Sequence, residues 1–285
     1  MLIDTHAHID MEDFEADFEQ MLQRAAENGV EKIIIPAVEP STFERVIKTA
    51  EKSENLYAAT GVHPEDAKNF TQESLEKMEE MIKHPKVVAV GEIGLDYYWD
   101  RSYNDIQKEV FALQIEFAKK HNKPLIVHDR EAHGDCLEIL KRTNAAQVGV
   151  IMHCFSGSPE FALECVKEGF YIALGGVVTF KNAKKMKEVA KIVPLEKLLV
   201  ETDSPYLTPV PYRGKRNEPA YVKYAAQEIA QLRGMSFEEL AQATTENAMK
   251  VFRCPKKVRD KEHSAEQKVT KCHVLREEDV NELFE

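Results

Sequence analysis

Short apolar runs rich in Ile, Val and Leu recur along the chain, each followed by a longer stretch whose apolar residues return every three or four positions. Eight runs have this character: LIDTHAH from residue 2, KIIIPAV from 32, LYAATGVHP from 56, VVAVGEIGLD from 87, PLIVHDR from 124, GVIMHCFSG from 149, YIALGGVVTF from 171 and LLVETDSPYL from 198. Their length and β-branched content predict strands buried on both faces. Between them, Phe14, Phe18, Leu22 and Ala25 predict a helix over 12–28, and Val110, Leu113 and Phe117 one over 104–121. Ser158 and Pro159 open a helix that Gly169 closes. Strand and helix in strict alternation predict an α/β fold, a single (β/α)8 TIM barrel; a doubly wound open sheet is the alternative.

After the eighth run, a loop rich in Pro, Gly and cations, TPVPYRGKRNEP, precedes a helix over 220–232. Ser236 and Glu239 have the spacing of a capping box and start one extra C-terminal helix. From residue 255 the composition turns charged and polar with weak periodicity, so the expected organisation is a barrel domain over 1–254 and a polar tail over 255–285, mobile or docked outside the barrel. Cys254, His263, Cys272 and His273 in that region fit no zinc-module spacing.

A formal charge of −11 excludes a broad basic face for nucleic acid, although a local basic groove remains open. Five scattered cysteines without a CxxC pair indicate neither a disulfide framework nor a zinc ribbon. No leader pattern opens the chain and no apolar run has membrane-spanning length, so a cytoplasmic protein without a membrane partner is expected. Its oligomeric state is open, with a monomer as one outcome.

The chemistry gathers where the apolar runs end. His6 and His8 alternate on one side of the first run, with about 6.5 Å of strand rise between them, close enough to grip one cation. Glu92, His128, His153 and Asp203 close the runs at 87, 124, 149 and 198. Each would stand at the carboxyl end of a barrel strand, where barrel enzymes place their sites. Burying such side chains is costly unless they are paired or metal-bound. Four imidazoles and two carboxylates exceed one four-coordinate ion and suggest two divalent metal ions sharing a carboxylate.

The ordered motifs DTHAHID, GVHP, GEIGLDYY, VHDR, HCFSG, ETDSPYL and RGKRNEP resemble those of the TatD family, metal-dependent deoxyribonucleases within the amidohydrolase superfamily of barrels. They run from residue 4 to about residue 219, and the region after about 255 lies outside the pattern. The resemblance implies that His6, His8, Glu92 and Asp203 hold one ion and that Glu92, His128 and His153 hold a second. It also implies a glutamate bridge, Glu92, where related barrels use a carboxylated lysine. Asp203 is then the expected general base. The ions are expected to be magnesium, manganese or zinc, and the partner DNA, single-stranded or at its ends, trimmed 3′ to 5′. His63, Arg130, Arg213 and Arg216 are the expected phosphate-binding residues, with Lys215 beside them. Tyr97, Tyr98 and Trp99 are candidates for stacking on bases. The alternatives are another metal-dependent ester hydrolysis, such as removal of D-amino acids from transfer RNA, and a scaffold without catalysis.

Overall fold

A computed structural model describes residues 1–253; Cys254 and the expected tail over 255–285, with His263, Cys272 and His273, lie outside the described residues. Eight parallel strands stand side by side in chain order: β1 (Leu2–Asp4), β2 (Val30–Pro36), β3 (Leu56–Ala59), β4 (Val87–Asp96), β5 (Leu125–Arg130), β6 (Val150–Met152), β7 (Tyr171–Leu174) and β8 (Leu198–Val200). Helices α1 (Phe18–Glu27), α2 (Phe43–Glu51), α3 (Gln72–Met81), α4 (Asn104–Lys120), α5 (His133–Arg142), α6 (Pro159–Lys167), α7 (Lys184–Ile192) and α8 (Val222–Arg233) each follow one strand. The result is a (β/α)8 barrel, and α9 (Phe237–Phe252) is the extra helix after it. Strand side chains such as Leu2, Ile34, Ile35, Leu56 and Ile93 are fully buried, as are Phe14, Met21, Phe43, Met78 and Phe111 from the surrounding layer. No helix among the described residues is long and apolar enough to cross a membrane.

Local chemistry sets the element ends. Ser158 accepts from the Phe161 amide at the start of α6, and Gly169 beyond it adopts φ +89°. Ser236 and Glu239 exchange the two bonds of a capping box at the start of α9. The first helix starts later than its periodicity predicts. Residues Glu12–Asp17 form a 3-10 turn, and Asp17 leaves the helical path at φ −140° while its carboxylate pairs with Arg24 and Arg216.

The strands are also shorter than the apolar runs that announce them. β1, β6 and β8 have three residues each, and the chain beyond them runs on in extended or turned form. The ring closes between β1 and β8 through bonds made past the strand ends. The Thr5 amide donates to Val200 O (3.2 Å), the Asp203 amide to His6 O (2.9 Å) and the His8 amide to Ser204 O (2.8 Å). This seam fixes the first strand against the last.

Candidate metal centre

The seam delivers three of the expected ligands to the carboxyl end of the barrel. His6 and His8 lie just past β1 and keep the alternation of an extended chain, so their rings converge, with 3.1 Å between the Nε2 atoms. Asp203 lies three residues past β8 with φ +57°, a left-handed turn that Asp tolerates better than most residues. Its Oδ1 stands 3.7 Å from both Nε2 atoms. Buried Asp4 braces this arrangement by accepting from the Thr202 amide (2.9 Å) and the Thr202 hydroxyl (2.6 Å).

Glu92 comes from inside a strand. β4 has ten residues and runs past Glu92 to Asp96, so Glu92 does not end it. The register with β5 slips between Val90 and Ile93, one residue more on β4 than on β5, and Glu92 falls in that slip. A bulge re-aims a side chain; here it turns the carboxylate into the mouth. The glycines on either side of Glu92 permit it. A Cβ on Gly91 would lie 2.6 Å from Ile126 Cβ, and one on Gly94, at φ +142°, would lie 2.0 Å from His128 O.

The Glu92 carboxylate is the centre of the cluster. Oε2 lies 3.3 Å from His6 Nε2 and 3.8 Å from His8 Nε2. Oε1 lies 2.8 Å from His128 Nδ1 and 3.6 Å from the Nε2 atoms of both His153 and His63. Donors around one ion at about 2.1 Å stand about 3.0–3.5 Å apart, so the separations here, apart from the 2.8 Å hydrogen bond to His128, lie within a few tenths of an ångström of a coordination shell. All six expected ligands are brought together around Glu92, but His153, also 3.8 Å from Asp203 Oδ1, is shared between the His6–His8–Asp203 side and the His128 side. His6 and His153 stack at 3.4 Å, which joins the two sides again.

Behind two of the imidazoles stands a carboxylate that the sequence does not single out. His128 Nε2 meets Asp96 Oδ2 at 2.8 Å, and His153 Nδ1 meets Glu201 Oε1 at 3.0 Å. Such outer partners fix ring orientation and raise ligand basicity. Their one signal in the sequence is a further acid in GLD and VETD beside the candidates already noted. His6 has no such partner: its Nδ1 is buried without a hydrogen bond. With His153 Nδ1, near Glu201 but without hydrogen-bond geometry, the cluster has two orphaned imidazole nitrogens; these, two Nε2 atoms at 3.1 Å and the carboxylates between them fit divalent cations well.

Ionisation follows the same division. Burial, with His153 alongside, drives His6 well below the ordinary imidazole range. Burial and the neighbouring His128 lower His63 to about 3. Burial also opposes charge on His128 and His153, but Asp96 and Glu92 outweigh it and lift His128 to about 9, while Glu201 and Glu92 lift His153 to about 10. Burial alone would raise Glu92, yet the surrounding imidazoles hold it well below the carboxylate range. Burial pushes Asp203 up to about 6 against the pull of His153 and His8.

His63 is four residues past β3, in the loop rather than on the strand. Its Nδ1 accepts from the Glu65 amide at 3.2 Å, so its proton lies on Nε2. That nitrogen faces Glu92 Oε1 at 3.6 Å, and ligand atoms of His63, Glu92 and His128 lie within 4.8 Å of one another, so His63 joins the cluster as a further polar group that the expected ligand set did not include. Arg130, the last residue of β5, lies 3.8 Å over the Tyr98 ring and 5.4 Å from the Trp99 ring centre. Tyr98 and Trp99 are exposed, whereas Tyr97 is buried and donates to Asp135 Oδ2 at 2.7 Å. Arg213 is exposed, bonds Thr208 O at 3.2 Å and lies 3.9 Å over Phe180, with exposed Lys215 close by in the chain. Arg216 faces the other way: its guanidinium pairs with Asp17 (2.7 and 2.9 Å) and nears Glu218 (3.5 Å). It ties the loop after β8 to the turn before α1.

Residues 3–253 match the family model described as TatD related DNase. The uncharacterized metal-dependent hydrolase YabD of Bacillus subtilis is 53% identical over 253 residues, covering 89% of this chain and 99% of the relative. The uncharacterized metal-dependent hydrolase YcfH of Escherichia coli K12 is 39% identical over 254 residues, 88% of this chain and 95% of the relative. Among solved structures, YjjV, a TatD homologue from Escherichia coli K12, superposes with a TM-score of 0.85 at 38% identity, covering 89% of this chain and 98% of that one.

Proposed function

The chain belongs to the TatD family of metal-dependent hydrolases, and from that premise we propose that it hydrolyses DNA phosphodiester bonds, trimming single strands or strand ends 3′ to 5′. The observation that carries this reading is the sharing of Glu92 between two ligand groups at a mouth edged by an exposed aromatic and arginine face. His6, His8, Glu92 and Asp203 would hold one divalent ion, and Glu92, His128 and His153 a second, with magnesium, manganese or zinc suited to the donor set. Bound there, such ions supply acidification of water and neutralisation of charge on the attacked and leaving oxygens.

The chain's own residues do the rest. Asp203, whose Oδ1 stands within 3.7 Å of both His6 and His8 Nε2 at the mouth, would accept the proton of the attacking water. His63 presents Nε2–H into the mouth as a donor for a phosphate oxygen. Arg130 spreads its guanidinium over Tyr98 and beside Trp99, a combination that suits stacked bases and an adjoining backbone phosphate. Arg213 and Lys215 add exposed cations on the loop after β8. Arg216, already paired with Asp17, supports that loop instead of reaching for substrate. Single strands fit this face better than duplex, because splayed bases are what exposed rings can stack on and the chain's charge of −11 disfavours long duplex contacts.

The test incubates purified, metal-supplied protein with end-labelled single-stranded DNA and, separately, with a D-aminoacylated transfer RNA, each with and without chelator. Progressive shortening of the DNA is expected, lost on chelation and in Asp203→Ala and His153→Ala. Shortening that survives chelation or both substitutions would refute the metal mechanism. Deacylation without DNA cleavage would replace the nuclease reading with ester hydrolysis on transfer RNA.

A further inference from the structure

The loops that rim the mouth divide by charge. Those after β1, β2 and β3 carry Glu12, Asp13, Glu39, Glu65 and Asp66, and their one lysine, Lys68, is paired with Asp100 at 3.1 Å. The loops after β7 and β8, with the first turn of α7, have the opposite sign: Lys181, Lys184, Lys185, Arg213 and Lys215 are all exposed, and none makes an ion pair among the described residues. Pairing resumes where α7 leaves the mouth, at Lys187 and Glu228 (2.7 Å). The acids after β8 are engaged elsewhere. Asp203 belongs to the ligand cluster, Glu201 stands behind His153 and Glu218 is held by Arg24.

These cations stand on one packed ridge. The Val210 amide donates to Thr179 Oγ1 at 2.9 Å, and a Cβ on Gly176 would strike Leu207 O, so the two loops have closed on each other. Phe180, next to Lys181 in the chain, lies 3.9 Å beneath the Arg213 guanidinium. Tyr212 stacks on Tyr221 with 4.5 Å between ring centres, and Lys215 Nζ comes within 5.6 Å of the Tyr212 ring. Packing of this kind leaves less side-chain freedom to lose when a ligand arrives. Like charges gathered on such a support repel one another until an anion lies across them.

We propose that the body of a single strand, behind the nucleotide being removed, lies along this ridge with its phosphates against Lys181, Lys184, Lys185, Arg213 and Lys215. The assignment rests on the DNA-hydrolysis reading above and gives the strand a side: outward from the ligand cluster over β7 and β8, away from the acidic loops after β1, β2 and β3. Unpaired acids act on a phosphate within about one Debye length, about 8 Å at physiological salt, so the mouth admits the backbone from the basic side alone. Contacts to phosphates position a strand without reading its sequence. The ridge therefore holds the strand while the Tyr98, Trp99 and Arg130 face meets bases at the cut. The division also explains how a chain of charge −11 accommodates a polyanion: its surplus acids lie off the path.

The test compares wild type with the triple variant Lys181→Gln, Lys184→Gln, Lys185→Gln and with a control of equal charge, Lys83→Gln, Lys167→Gln, Lys191→Gln, whose exposed lysines lie at helix carboxyl ends, away from the mouth. Binding of a labelled single strand of about twelve nucleotides is followed in chelator, where nothing is cut, over a range of salt. Each phosphate contact adds about 0.7 to the slope of log affinity on log salt. The triple variant should therefore flatten the slope by about 2 and weaken binding about 10- to 100-fold at about 0.1 M salt, while the control matches wild type. With metal supplied, the triple variant should raise KM for the long strand about tenfold or more and leave kcat within about twofold; a dinucleotide, too short to reach the ridge, should be cut as by wild type. An unchanged slope, an equal loss in the control, or an equal loss on dinucleotide and long strand would overturn the ridge. Wild type that binds with this slope but cuts no strand would leave the ridge standing and overturn the hydrolysis reading; wild type that neither binds nor cuts would overturn both.

Discussion

The β1–β8 seam and the β4–β5 pair bring the same kinds of ligand into one mouth by opposite means. At the seam, His6, His8 and Asp203 lie beyond three-residue strands and are placed by backbone bonds across the closure. In the pair, Glu92 and His128 lie within long strands, aimed by a register slip and by glycines that let the backbones approach. Their electrostatics differ accordingly. His6 is driven towards neutrality with an orphaned Nδ1, whereas His128 is clasped between two carboxylates. The pair satisfies its own polar groups without an ion, and the seam does not. A ligand group can thus be built rigid in advance or left to be completed by what it binds.

Glu92 is the one side chain both regions use, so removing it should erase the contrast. Glu92→Gln should lose metal from both groups and cut phosphodiester hydrolysis by more than the roughly 10- to 100-fold typical of an outer partner. Metal analysis of the purified variant checks this, and full retention of either ion would break the shared-bridge description.

The seam can be tested alone through Asp4, which burial pushes up to about 8 against the bonds from Thr202. The folded chain then keeps a proton that the unfolded chain releases above the ordinary 3.8. The folded state binds more protons over that interval, so stability should fall as pH rises from about 4 to 8. One such group contributes a slope of at most about 1.4 kcal/mol per pH unit. Urea unfolding of the ion-free protein at several pH values should show a shallower slope in Asp4→Asn, and identical slopes would remove Asp4 from the account.

Outer partners sharpen the comparison further. Asp96→Asn should weaken metal binding about 10- to 100-fold at the His128 group and leave the seam group nearly intact, as calorimetric titration can resolve. Glu201→Gln should act on His153 by a similar factor. Equal weakening of both groups by Asp96→Asn would mean that the two are not separable. The smallest effect belongs to the exposed face near β5. Trp99 is the chain's sole tryptophan, so its fluorescence should report oligonucleotide binding in chelator, and Trp99→Ala should weaken binding about tenfold when followed with a labelled strand.

What was legible in the sequence divides along the same line. The barrel follows from the alternation of apolar runs and helical periods, which local residues determine. The convergence of His6 and His8 could be read because an extended chain keeps its alternation even after β1 has ended at Asp4. The aim of Glu92 could not, because it depends on a slip against β5, a neighbour 36 residues away at His128. Arg216 looked like another cation for phosphate. Its partner Asp17 lies 199 residues earlier, a pairing that no local pattern encodes. Asp96 and Glu201 passed unnoticed because a buried acid behind a histidine reads in the chain like any other acid beside a strand end.

The seam also sets a timetable for the living chain. His6 and His8 leave the ribosome well before Asp203, which follows roughly 10–40 s later at about 5–20 residues per second. Glu92, His128 and His153 are all synthesised in between. A nascent chain therefore carries a His-x-His pair without its Asp203 partner throughout that interval. If the seam takes up an ion, as proposed, which ion it is would depend on when the barrel closes as well as on which donors it presents.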